Sequence, residues 1–557
     1  MVVPAVPWDD PVQAAVQPPP VANEVVRTHA PGSRERESLR ARLRSLAAEK
    51  TELPMVIGGR DVMSSATSPI RKPHDHACEL GRAHLGGREE VRKAIGAAAR
   101  AHPEWSRAPW TERAAVFLRA AELLAGPWRD TLNAATMLGQ SKTVHQAEID
   151  SAAELIDFLR FNVHFMRRLH REQPISPPGT WNQLDYRPLE GFVFAVTPFN
   201  FTAIAGNLPT APALLGNTVV WKPALSAALS AHFIMRLLQA AGLPDGVINL
   251  VHGDGADVAA VALADASFAG VHFTGSTAVF NSMQRTIGAQ IDAYRSYPRV
   301  VGETGGKNFI VAHPSAAPDA LATAIIRGGF EYQGQKCSAA SRVFVPRSLW
   351  PGLRERLCDE IASIKVGDVE DFTNFMGAVI DEKAFRRLET AIESARRAGG
   401  TEILCGGTCD SSVGYFVQPT LIETSVLGSP LLHEELFGPI VTAFVYDDAA
   451  YEEVLRTIDE RSRYGLTGAV FARDRVAISA ALSVLRNAAG NFYVNDKPTG
   501  AVVGQQPFGG ARASGTNDKA GSLWNLTRWV SPRAIKETFV PPADYRYPFM
   551  APEGDTR

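Results

Sequence analysis

The sequence predicts an α/β protein whose central part is a parallel, doubly wound sheet. Two observations support this prediction: short apolar runs alternate with helical patterns, and the runs are apolar throughout, as expected of strands buried on both faces. The runs cover residues 191–196, 218–221, 247–251, 270–273 and 299–301. Five strands separated by helices within about 110 residues are typical of such a sheet, which binds ligands beyond the carboxyl ends of its strands.

Regular patterns also flank this region. Residues 1–32 are rich in Pro, Ala and Val and predict an extended arm. Leu39, Leu43 and Leu46 follow at helical spacing and predict a helix within 33–50. Further predicted elements are helices within 88–170, a helix over 318–330, a strand over 342–346, αβ units to about residue 495 and Gly-rich turns over 499–515.

Length and composition restrict the class of protein. A chain of 557 residues is too long for one core, so two or three domains are expected. A net charge of −2 gives no reason to expect a nucleic-acid or membrane partner, and no apolar run approaches the roughly 20 residues that span a bilayer. Asp9 and Asp10 argue against a targeting segment, and five cysteines in so long a chain favour a reducing cytoplasm.

Two glycine-containing turns indicate a nucleotide site. Residues 252–258 follow a strand and open a helix, with two of the three glycines of a G-x-G-x-x-G pattern, and residues 273–276 repeat that arrangement. A helix N-terminus at such a turn can face a phosphate. The alternative is a pair of tight turns that need glycine for their backbone alone.

Cys337 and Glu303, each set among small residues, suggest covalent catalysis on a carbonyl. A thiol can attack, and a carboxylate can activate the water that releases the product. The alternatives are an inert buried thiol and a solvated carboxylate at a strand end. No metal site is expected: Cys405 and Cys409 lack zinc-ligand spacing, and His74 lies in a polar stretch that predicts a solvated turn.

Taken together, seven motifs resemble the aldehyde dehydrogenase superfamily from about residue 50 to 540. They are Thr197–Phe201, Trp221–Ala224, Phe273–Ser276, Glu303–Lys307, Gly334–Cys337, Glu434–Pro439 and Pro507–Gly510, in this order. The resemblance implies an N-terminal arm and helix over residues 1–50, a Rossmann-type NAD-binding domain over 51–168 and 187–303, an α/β catalytic domain over 304–497, and a β-flap for oligomerisation over 169–186 and 520–545.

Within the superfamily, residues 147–158 and 504–518 look like those of the L-glutamate-γ-semialdehyde dehydrogenases. This resemblance implies oxidation of the semialdehyde, formed from Δ1-pyrroline-5-carboxylate, to L-glutamate in the second step of proline degradation. The chain is too short to include a proline dehydrogenase, so functional coupling to a separate one is expected. The alternatives are another semialdehyde or aliphatic aldehyde dehydrogenase, and a nucleotide-binding protein that kept the fold and lost the chemistry.

The resemblance also implies roles for single residues. Cys337 would be the nucleophile, Asn200 would stabilise the oxyanion, and Glu303 would activate the hydrolytic water. Lys222 would hold the adenosine ribose and Glu435 the nicotinamide ribose. The residues expected to line the cofactor are Thr197, Phe199, Gly275, Ser276 and Phe437.

One position bears on the choice of cofactor. Many NAD-specific relatives carry Glu three residues after this Lys, whereas this chain has Leu225. We therefore expect NAD with some tolerance of NADP.

For the substrate, the resemblance implies that Ser338, Gly500 and Ala501 hold the carboxylate of the amino acid head, although relatives often have Ser at position 501. Phe201 and Phe508 would sandwich the methylene chain; the alternative is that both are core aromatics. Glu154 would support the site from a neighbouring helix or be a surface acid without a role. An edge strand in the flap needs covering, so a homodimer or an assembly of dimers is expected.

Overall fold

The protein is described by a computed structural model that covers residues 16–554, so the first part of the predicted arm, residues 1–15, lies outside the described residues. Its α-helices are α1 (Arg34–Glu49), α2 (Arg88–Trp105), α3 (Trp110–Ala125), α4 (Arg129–Gln140), α5 (Val144–Ala147), α6 (Leu155–His170), α7 (Thr202–Leu214), α8 (Ala228–Ala240), α9 (Gly255–Ala262), α10 (Thr277–Ala289), α11 (Pro318–Phe330), α12 (Trp350–Ser363), α13 (Glu382–Arg397), α14 (Tyr451–Glu460), α15 (Arg475–Val484) and α16 (Leu523–Leu526). Glu148–Glu154, between α5 and α6, is a π-helix.

The strands are β1 (Thr51–Leu53), β2 (Met55–Ile57), β3 (Arg60–Val62), β4 (Thr67–Lys72), β5 (Asp75–His84), β6 (Thr180–Pro188), β7 (Phe192–Thr197), β8 (Thr218–Pro223), β9 (Ile248–Leu250), β10 (Phe268–Thr274), β11 (Arg299–Glu303), β12 (Asn308–Ala312), β13 (Ala340–Pro346), β14 (Thr401–Cys405), β15 (Cys409–Asp410), β16 (Phe416–Val417), β17 (Thr420–Thr424), β18 (Ile440–Tyr446), β19 (Tyr464–Gly465), β20 (Thr467–Phe471), β21 (Asn491–Val494), β22 (Ala511–Arg512) and β23 (Val530–Thr538).

The predicted five-stranded parallel sheet is confirmed. Its strands lie in the order β11-β10-β7-β8-β9, and the antiparallel hairpin β2-β3 extends it beyond β9 to seven strands. Along β7, Phe192 and Phe194 pack into one core while Val193 and Ala195 pack into another on the opposite face. Helices therefore cover both faces, which explains why these strands are apolar throughout.

A second seven-stranded sheet follows, in the order β14-β17-β18-β13-β12-β20-β21. Six of its strands are parallel, and β14 at one edge is antiparallel to β17. Here too alternate residues divide between two cores: Val343 and Val345 face α11 and α12, whereas Phe344 faces the side covered by α14 and α15.

Two segments far apart in the sequence form a separate ribbon. β6 and β23 pair antiparallel over nine residues, from Thr180↔Thr538 to Pro188↔Val530. Most of β23 is exposed, including Ile535. The structure therefore brings together the two segments predicted to form the flap.

The N-terminal helix and the arm before it pack against the rest of the chain. Leu39, Leu43 and Leu46 of α1 are buried, as their spacing predicts. In the arm, the N–H of Glu24 donates to Asp157 at 2.7 Å and the N–H of Arg27 to Glu148 at 2.8 Å. Among residues 16–554, no helix has both the length and the apolar character to span a bilayer.

Candidate active site

The segment before Cys337 has an unusual backbone. Tyr332 and Gln333 have left-handed φ values of 52° and 54°, which residues other than Gly rarely adopt. Hydrogen bonds hold this conformation: the Tyr332 hydroxyl donates to the Gln140 carbonyl at 3.1 Å, and Gln333 Nε2 donates to the carbonyl of Ala378 at 2.7 Å. The loop that presents the thiol is thus fixed by contacts on its buried side.

The Cys337 thiol is partly buried and lies within the electrostatic reach of two carboxyl groups. Burial first, and then the charges of Glu303 and Glu435, raise its pKa to about 12, and the Ser338 N–H only partly opposes this. The Cys337 carbonyl accepts a hydrogen bond from Asn308 Nδ2 at 2.7 Å. At neutral pH the resting thiol is therefore protonated, and attack requires that a group nearby removes its proton or stabilises the thiolate.

Glu303 is the last residue of β11, at the carboxyl edge of the first sheet. Its Oε2 accepts the Gly510 N–H at 3.3 Å. Burial raises the pKa of Glu303 well above its usual value, and the positive charge of Lys519 counteracts this only in part. A carboxylate that holds a proton so firmly is a stronger base once it is ionised.

The Asn200 side chain joins the first sheet to the nucleophile loop. It is buried, and its Nδ2 donates to the Gln335 carbonyl, two residues before Cys337, at 3.1 Å. An amide nitrogen carries two hydrogens, so one remains for a further acceptor. The donor chemistry needed next to an oxyanion is therefore present beside the thiol.

The residues predicted to bind the cofactor gather at the carboxyl ends of parallel strands. Thr197 ends β7, Lys222 lies near the end of β8, and Gly275 follows β10. Ser276 caps α10, with its side chain accepting the Val279 N–H at 3.4 Å. This is the edge at which doubly wound sheets bind ligands.

Lys222 has the environment of a cation without a close carboxylate. Burial lowers its pKa, and Asp254 opposes this through charge alone. A Cβ on Gly255 would lie 3.8 Å from Lys222 Nζ, so the ammonium lies beside the N-terminus of α9. An ammonium at this position is suited to donate hydrogen bonds to a polar ligand.

Glu435 closes the site from the second sheet's side. Its Oε1 accepts the Gly306 N–H at 2.8 Å, and burial raises its pKa to about 7. Next to it, the rings of Phe437 and Phe199 meet edge to face with centroids 5.8 Å apart. The two sheets therefore meet at this point through one carboxyl group and one aromatic pair.

The residues predicted to bind the substrate surround the Cys337 loop on its other side. Ser338 Oγ lies 2.7 Å from Thr499 Oγ1, which links it to the segment that carries Gly500 and Ala501. Gly500 has a φ of 91°, and a Cβ there would lie 3.4 Å from Lys497 Nζ. The three predicted carboxylate-binding residues and the Lys497 ammonium therefore lie on two neighbouring segments, which the contact between Ser338 and Thr499 joins.

Phe508, Phe201 and Glu154 are all partly buried, so neither the fully buried nor the surface alternative describes them. The Phe508 N–H donates to Ala520 O at 3.0 Å. Burial first, and then the charge of Asp150, raise the pKa of Glu154 to about 8. Glu154 also acts electrostatically on Cys337, which places its carboxyl group near the thiol.

Sequence reasoning missed two charged residues next to this site. Lys142 Nζ lies 2.7 Å from Asp150 Oδ2, and both side chains are fully buried. Asp150 belongs to a motif that carried the resemblance, but nothing in the sequence alone pairs it with Lys142. Asp150 lies in the π-helix Glu148–Glu154, and no periodicity in the sequence predicts this element.

The expectation of a solvated turn at His74 is wrong. The residue is 2% exposed, because its Nδ1 packs 3.2 Å from Ser141 Oγ and its Nε2 lies 3.5 Å from Asp368 Oδ1. Burial lowers the pKa of His74 to about 4. His74, Asp368 and Glu370 bring ligand atoms within 4.8 Å of one another, but the Lys72 ammonium pairs with Glu370 and already supplies a cation there.

The chain resembles known proteins over nearly its whole length. The family model for the aldehyde dehydrogenase family matches residues 62–535, and the chain belongs to this family. A delta-1-pyrroline-5-carboxylate dehydrogenase of Agaricus bisporus is 51% identical over 533 residues, which is 95% of this chain and 97% of the relative. The mitochondrial enzyme of that name from Bos taurus is 48% identical over 531 residues, covering 95% and 94% of the two chains.

A solved structure extends the comparison to the fold. The crystal structure of the Delta-pyrroline-5-carboxylate dehydrogenase from Mycobacterium tuberculosis bound with NAD superposes with a TM-score of 0.94 at 56% identity. The match covers 97% of this chain and 100% of that one. The aldehyde dehydrogenase fold expected from the motifs is therefore confirmed.

Proposed function

We propose that this enzyme oxidises L-glutamate γ-semialdehyde, derived from Δ1-pyrroline-5-carboxylate, to L-glutamate with reduction of NAD⁺. The observation that carries the proposal is the convergence of Cys337, Glu303 and Asn200 at the carboxyl edge of a doubly wound sheet. Relatives named for this activity match the chain over nearly its whole length, and one of them was crystallised with NAD. A separate proline dehydrogenase would supply the substrate.

The residues at the sheet edge fit a dinucleotide. Lys222 offers a buried ammonium without a hydrogen-bonded acid, α10 presents its N-terminus beside Gly275, and Glu435 offers a carboxylate. Lys222 would hold the adenosine ribose and Glu435 the nicotinamide ribose, while Phe199 and its partner Phe437, with Thr197 and Ser276, line the groove. With Leu225 after Lys222, NADP is expected to bind more weakly without being excluded. When bound, the nicotinamide accepts the hydride.

Cys337 begins the reaction by attack of its sulfur on the aldehyde carbon. Its raised pKa means that the thiolate forms only when a base or a nearby positive charge favours it. The carbonyl oxygen becomes negative in this step. The free hydrogen of the Asn200 amide and the backbone N–H at Cys337 would donate to it, and one such donor contributes roughly 3 kcal/mol in the transition state.

Glu303 acts after hydride transfer, when the acyl group is a thioester on Cys337. Its carboxylate accepts a proton from water, the hydroxyl oxygen attacks the thioester carbon, and the C–S bond breaks to release the acid and the thiol. The raised pKa of Glu303 suits this task, because it brings the basicity of the carboxylate closer to that required near neutral pH.

The two ends of the substrate require different partners. Ser338 and the loop of Gly500 and Ala501 would hold the α-carboxylate, and the Glu154 carboxylate would pair with the α-ammonium. Phe201 and Phe508 would enclose the methylene chain and exclude water from the reacting carbon.

A substrate panel tests the proposal. The rate of NADH formation with NAD⁺, or of NADPH formation with NADP⁺, is measured for pyrroline-5-carboxylate. The same rates are measured for aliphatic aldehydes of similar length and for succinate semialdehyde. We expect kcat/KM for pyrroline-5-carboxylate to exceed that for the others by at least about 10²-fold, since the charged head adds two ion contacts. Equal or higher kcat/KM for an uncharged aldehyde would refute the substrate assignment in favour of the broader aldehyde dehydrogenase alternative.

We propose the domain boundaries and the assembly on the same basis. The first sheet draws its strands from residues 55–303 and the second from residues 308–494, which supports the cofactor and catalytic domains predicted above. Within the described residues, the exposed strand β23 pairs with β6 alone, and such an edge strand needs covering, which supports a homodimer or an assembly of dimers. All five cysteines are free, which supports a reducing cytoplasm.

A further inference from the structure

We infer that Lys142 is a positioning residue for the aldehyde channel: held by Asp150, its ammonium fixes the rings of Phe201 and Tyr332, which belong to the segments that carry Asn200 and Cys337. This inference rests on the proposed function, because Phe201 is assigned there to the channel wall. The proposed mechanism assigns no role to Lys142 or Asp150.

The ammonium of Lys142 lies between two aromatic faces. Its Nζ is 4.3 Å from the centroid of the Phe201 ring and 4.4 Å from that of the Tyr332 ring. Cation–π attraction of this kind is stronger when the cation is desolvated, and Lys142 is fully buried. One cation therefore restrains two rings that belong to different parts of the chain.

The two rings belong to the two segments that supply the reaction centre. Phe201 directly follows Asn200, the predicted oxyanion donor, and Tyr332 lies in the left-handed segment that leads to Cys337. Asn200 and the nucleophile loop are already joined by the hydrogen bond to Gln335. Lys142 makes a second connection between the same two segments, on the buried side.

Asp150 extends this connection to the backbone. Its Oδ2 accepts the Thr202 N–H at 2.9 Å and its Oδ1 accepts the Ala203 N–H at 2.8 Å. These are the first N–H groups of α7, whose own N-cap residue, Phe201, supplies no side-chain cap. A carboxylate from another segment therefore sets where α7 begins, and with it the position of Asn200 just before it.

Stability alone gives a poor reason for this ion pair. Taking two charges out of water is costly, and a buried pair often contributes no more than apolar residues of the same volume would. Burial lowers the pKa of Lys142, which is the sign of that penalty, while Asp150 and Glu154 oppose it and Lys336 adds to it. The pair contributes geometry instead: three fixed contacts around one ammonium, with Asp150, Phe201 and Tyr332.

The test removes both charges together, so that neither is left buried alone. In Lys142→Met/Asp150→Asn, the side chains keep nearly their length, and the single amide oxygen of Asn can still accept one of the two α7 N–H groups. The control is Lys72→Met/Glu370→Gln, a buried lysine paired with a glutamate that touches neither ring. The measurements are kcat and KM for pyrroline-5-carboxylate and for an aliphatic aldehyde, NADH affinity by fluorescence, and melting temperature.

We expect the Lys142/Asp150 double variant to bind NADH normally. Its KM for pyrroline-5-carboxylate should rise about tenfold, and its preference over the aliphatic aldehyde should fall by a similar factor, since a loose Phe201 ring holds the amino acid chain poorly. The control pair should leave both values within twofold of the wild type.

A purely structural role for the pair would lower the melting temperature and reduce kcat equally for both aldehydes, without moving the preference. That outcome, or an unchanged KM, would overturn the inference. Failure of the proposed function has a different signature, since the wild-type enzyme itself would then show no preference for pyrroline-5-carboxylate.

Discussion

Buried carboxyl groups occur in two regions of this molecule, and their pKa values are shifted in opposite directions in the two regions. In the helical layer behind the first sheet, Arg129 is paired with both Glu148 and Glu24. Against the effect of burial, hydrogen bonds from His29, Arg129 and the Arg27 N–H lower the pKa of Glu148 to about 2. Arg129, Glu148 and Glu24 thus have charged partners, and Glu148 stays ionised although it is buried.

Around Cys337, Asp150 is paired with Lys142, but Glu154, Glu435 and Glu303 form no salt bridge with any residue within 16–554. Burial raises the pKa of Glu154 to about 8 and that of Glu435 to about 7, and it raises the pKa of Glu303 well above its usual value. Buried groups held near the point of proton exchange are typical of reactive and ligand-binding sites. The comparison teaches that a buried carboxyl group with charged partners, such as Glu148, stays ionised, whereas Glu154, Glu435 and Glu303 hold their protons more firmly where burial dominates.

The strongest way to test the reactive side is to remove its sulfur. Cys337→Ala should abolish turnover, with kcat reduced by a factor on the order of 10⁴ or more, because no other group beside Asn200 can form the covalent intermediate. NADH binding, measured by fluorescence titration, should stay within twofold of the wild type. Cys358→Ala, which removes a half-buried thiol elsewhere, should retain full activity. Residual turnover by the Cys337 variant at the rate of this control would break the assignment.

On the paired side, the expected effect is on stability. Arg129→Met leaves Glu148 buried without its main partner and should reduce the free energy of unfolding by about 3–5 kcal/mol. Arg160→Met, whose side chain is 23% exposed and pairs with Glu24 and Glu122, should reduce it by less than about 1 kcal/mol. Denaturant titration measures both. Equal losses in the two variants would contradict the account of the paired region.

A smaller effect is expected when the thiol remains and the oxyanion donor is lost. Asn200→Ala should lower kcat by roughly 10²-fold, corresponding to about 3 kcal/mol, with little change in NADH affinity. Asn162→Ala, which removes a buried amide bonded to Asn207 at 2.9 Å, serves as the control for loss of a buried polar group. Steady-state kinetics should separate the two, and similar kcat values would remove Asn200 from the mechanism.

The smallest effect concerns pH. Glu154 titrates near pH 8, so the ionised fraction rises roughly tenfold between pH 7 and pH 9. If its carboxylate pairs with the substrate ammonium, KM should fall by up to that factor over this range. Glu154→Gln cannot ionise, so its KM should lack this component. The ring-opening equilibrium of the substrate affects both enzymes alike, and parallel pH profiles of KM would argue against the role of Glu154.

The same titration has a consequence for folding. A carboxyl whose pKa is higher in the folded state than its usual 4.5 holds a proton that the unfolded chain has lost, so folding weakens as pH rises from about 4.5 to about 8. Glu148 acts in the opposite direction: its lowered pKa contributes stability above about pH 4.5 that is lost as pH falls toward 2.

Much of the fold follows from local pattern. The five apolar runs became five parallel strands, and the leucine spacing in 33–50 became α1, because these elements bury faces that their periodicity defines. β2 and β3 were missed: each has only three residues, and they join through Gly58 and Gly59 at positive φ. Runs that short leave no periodicity to detect.

The site was predictable where motif and strand end coincide. Glu303, Thr197 and Lys222 lie at strand ends that the sequence places correctly. Lys142 was not predictable, since its contacts to Phe201 and Tyr332 come from segments 59 and 190 positions away along the chain. His74 was missed for the same reason, because tertiary packing against Ser141 buries a turn whose composition is polar.

The most direct measurement of the central claim is the identity of the acylated residue. Glu303→Gln should form the thioester and fail to hydrolyse it, so mixing with NAD⁺ and pyrroline-5-carboxylate should give one burst of NADH per active site. Mass spectrometry of the quenched protein should then find the glutamyl adduct on the peptide that contains Cys337. A burst without this adduct, or an adduct on another residue, would contradict the account.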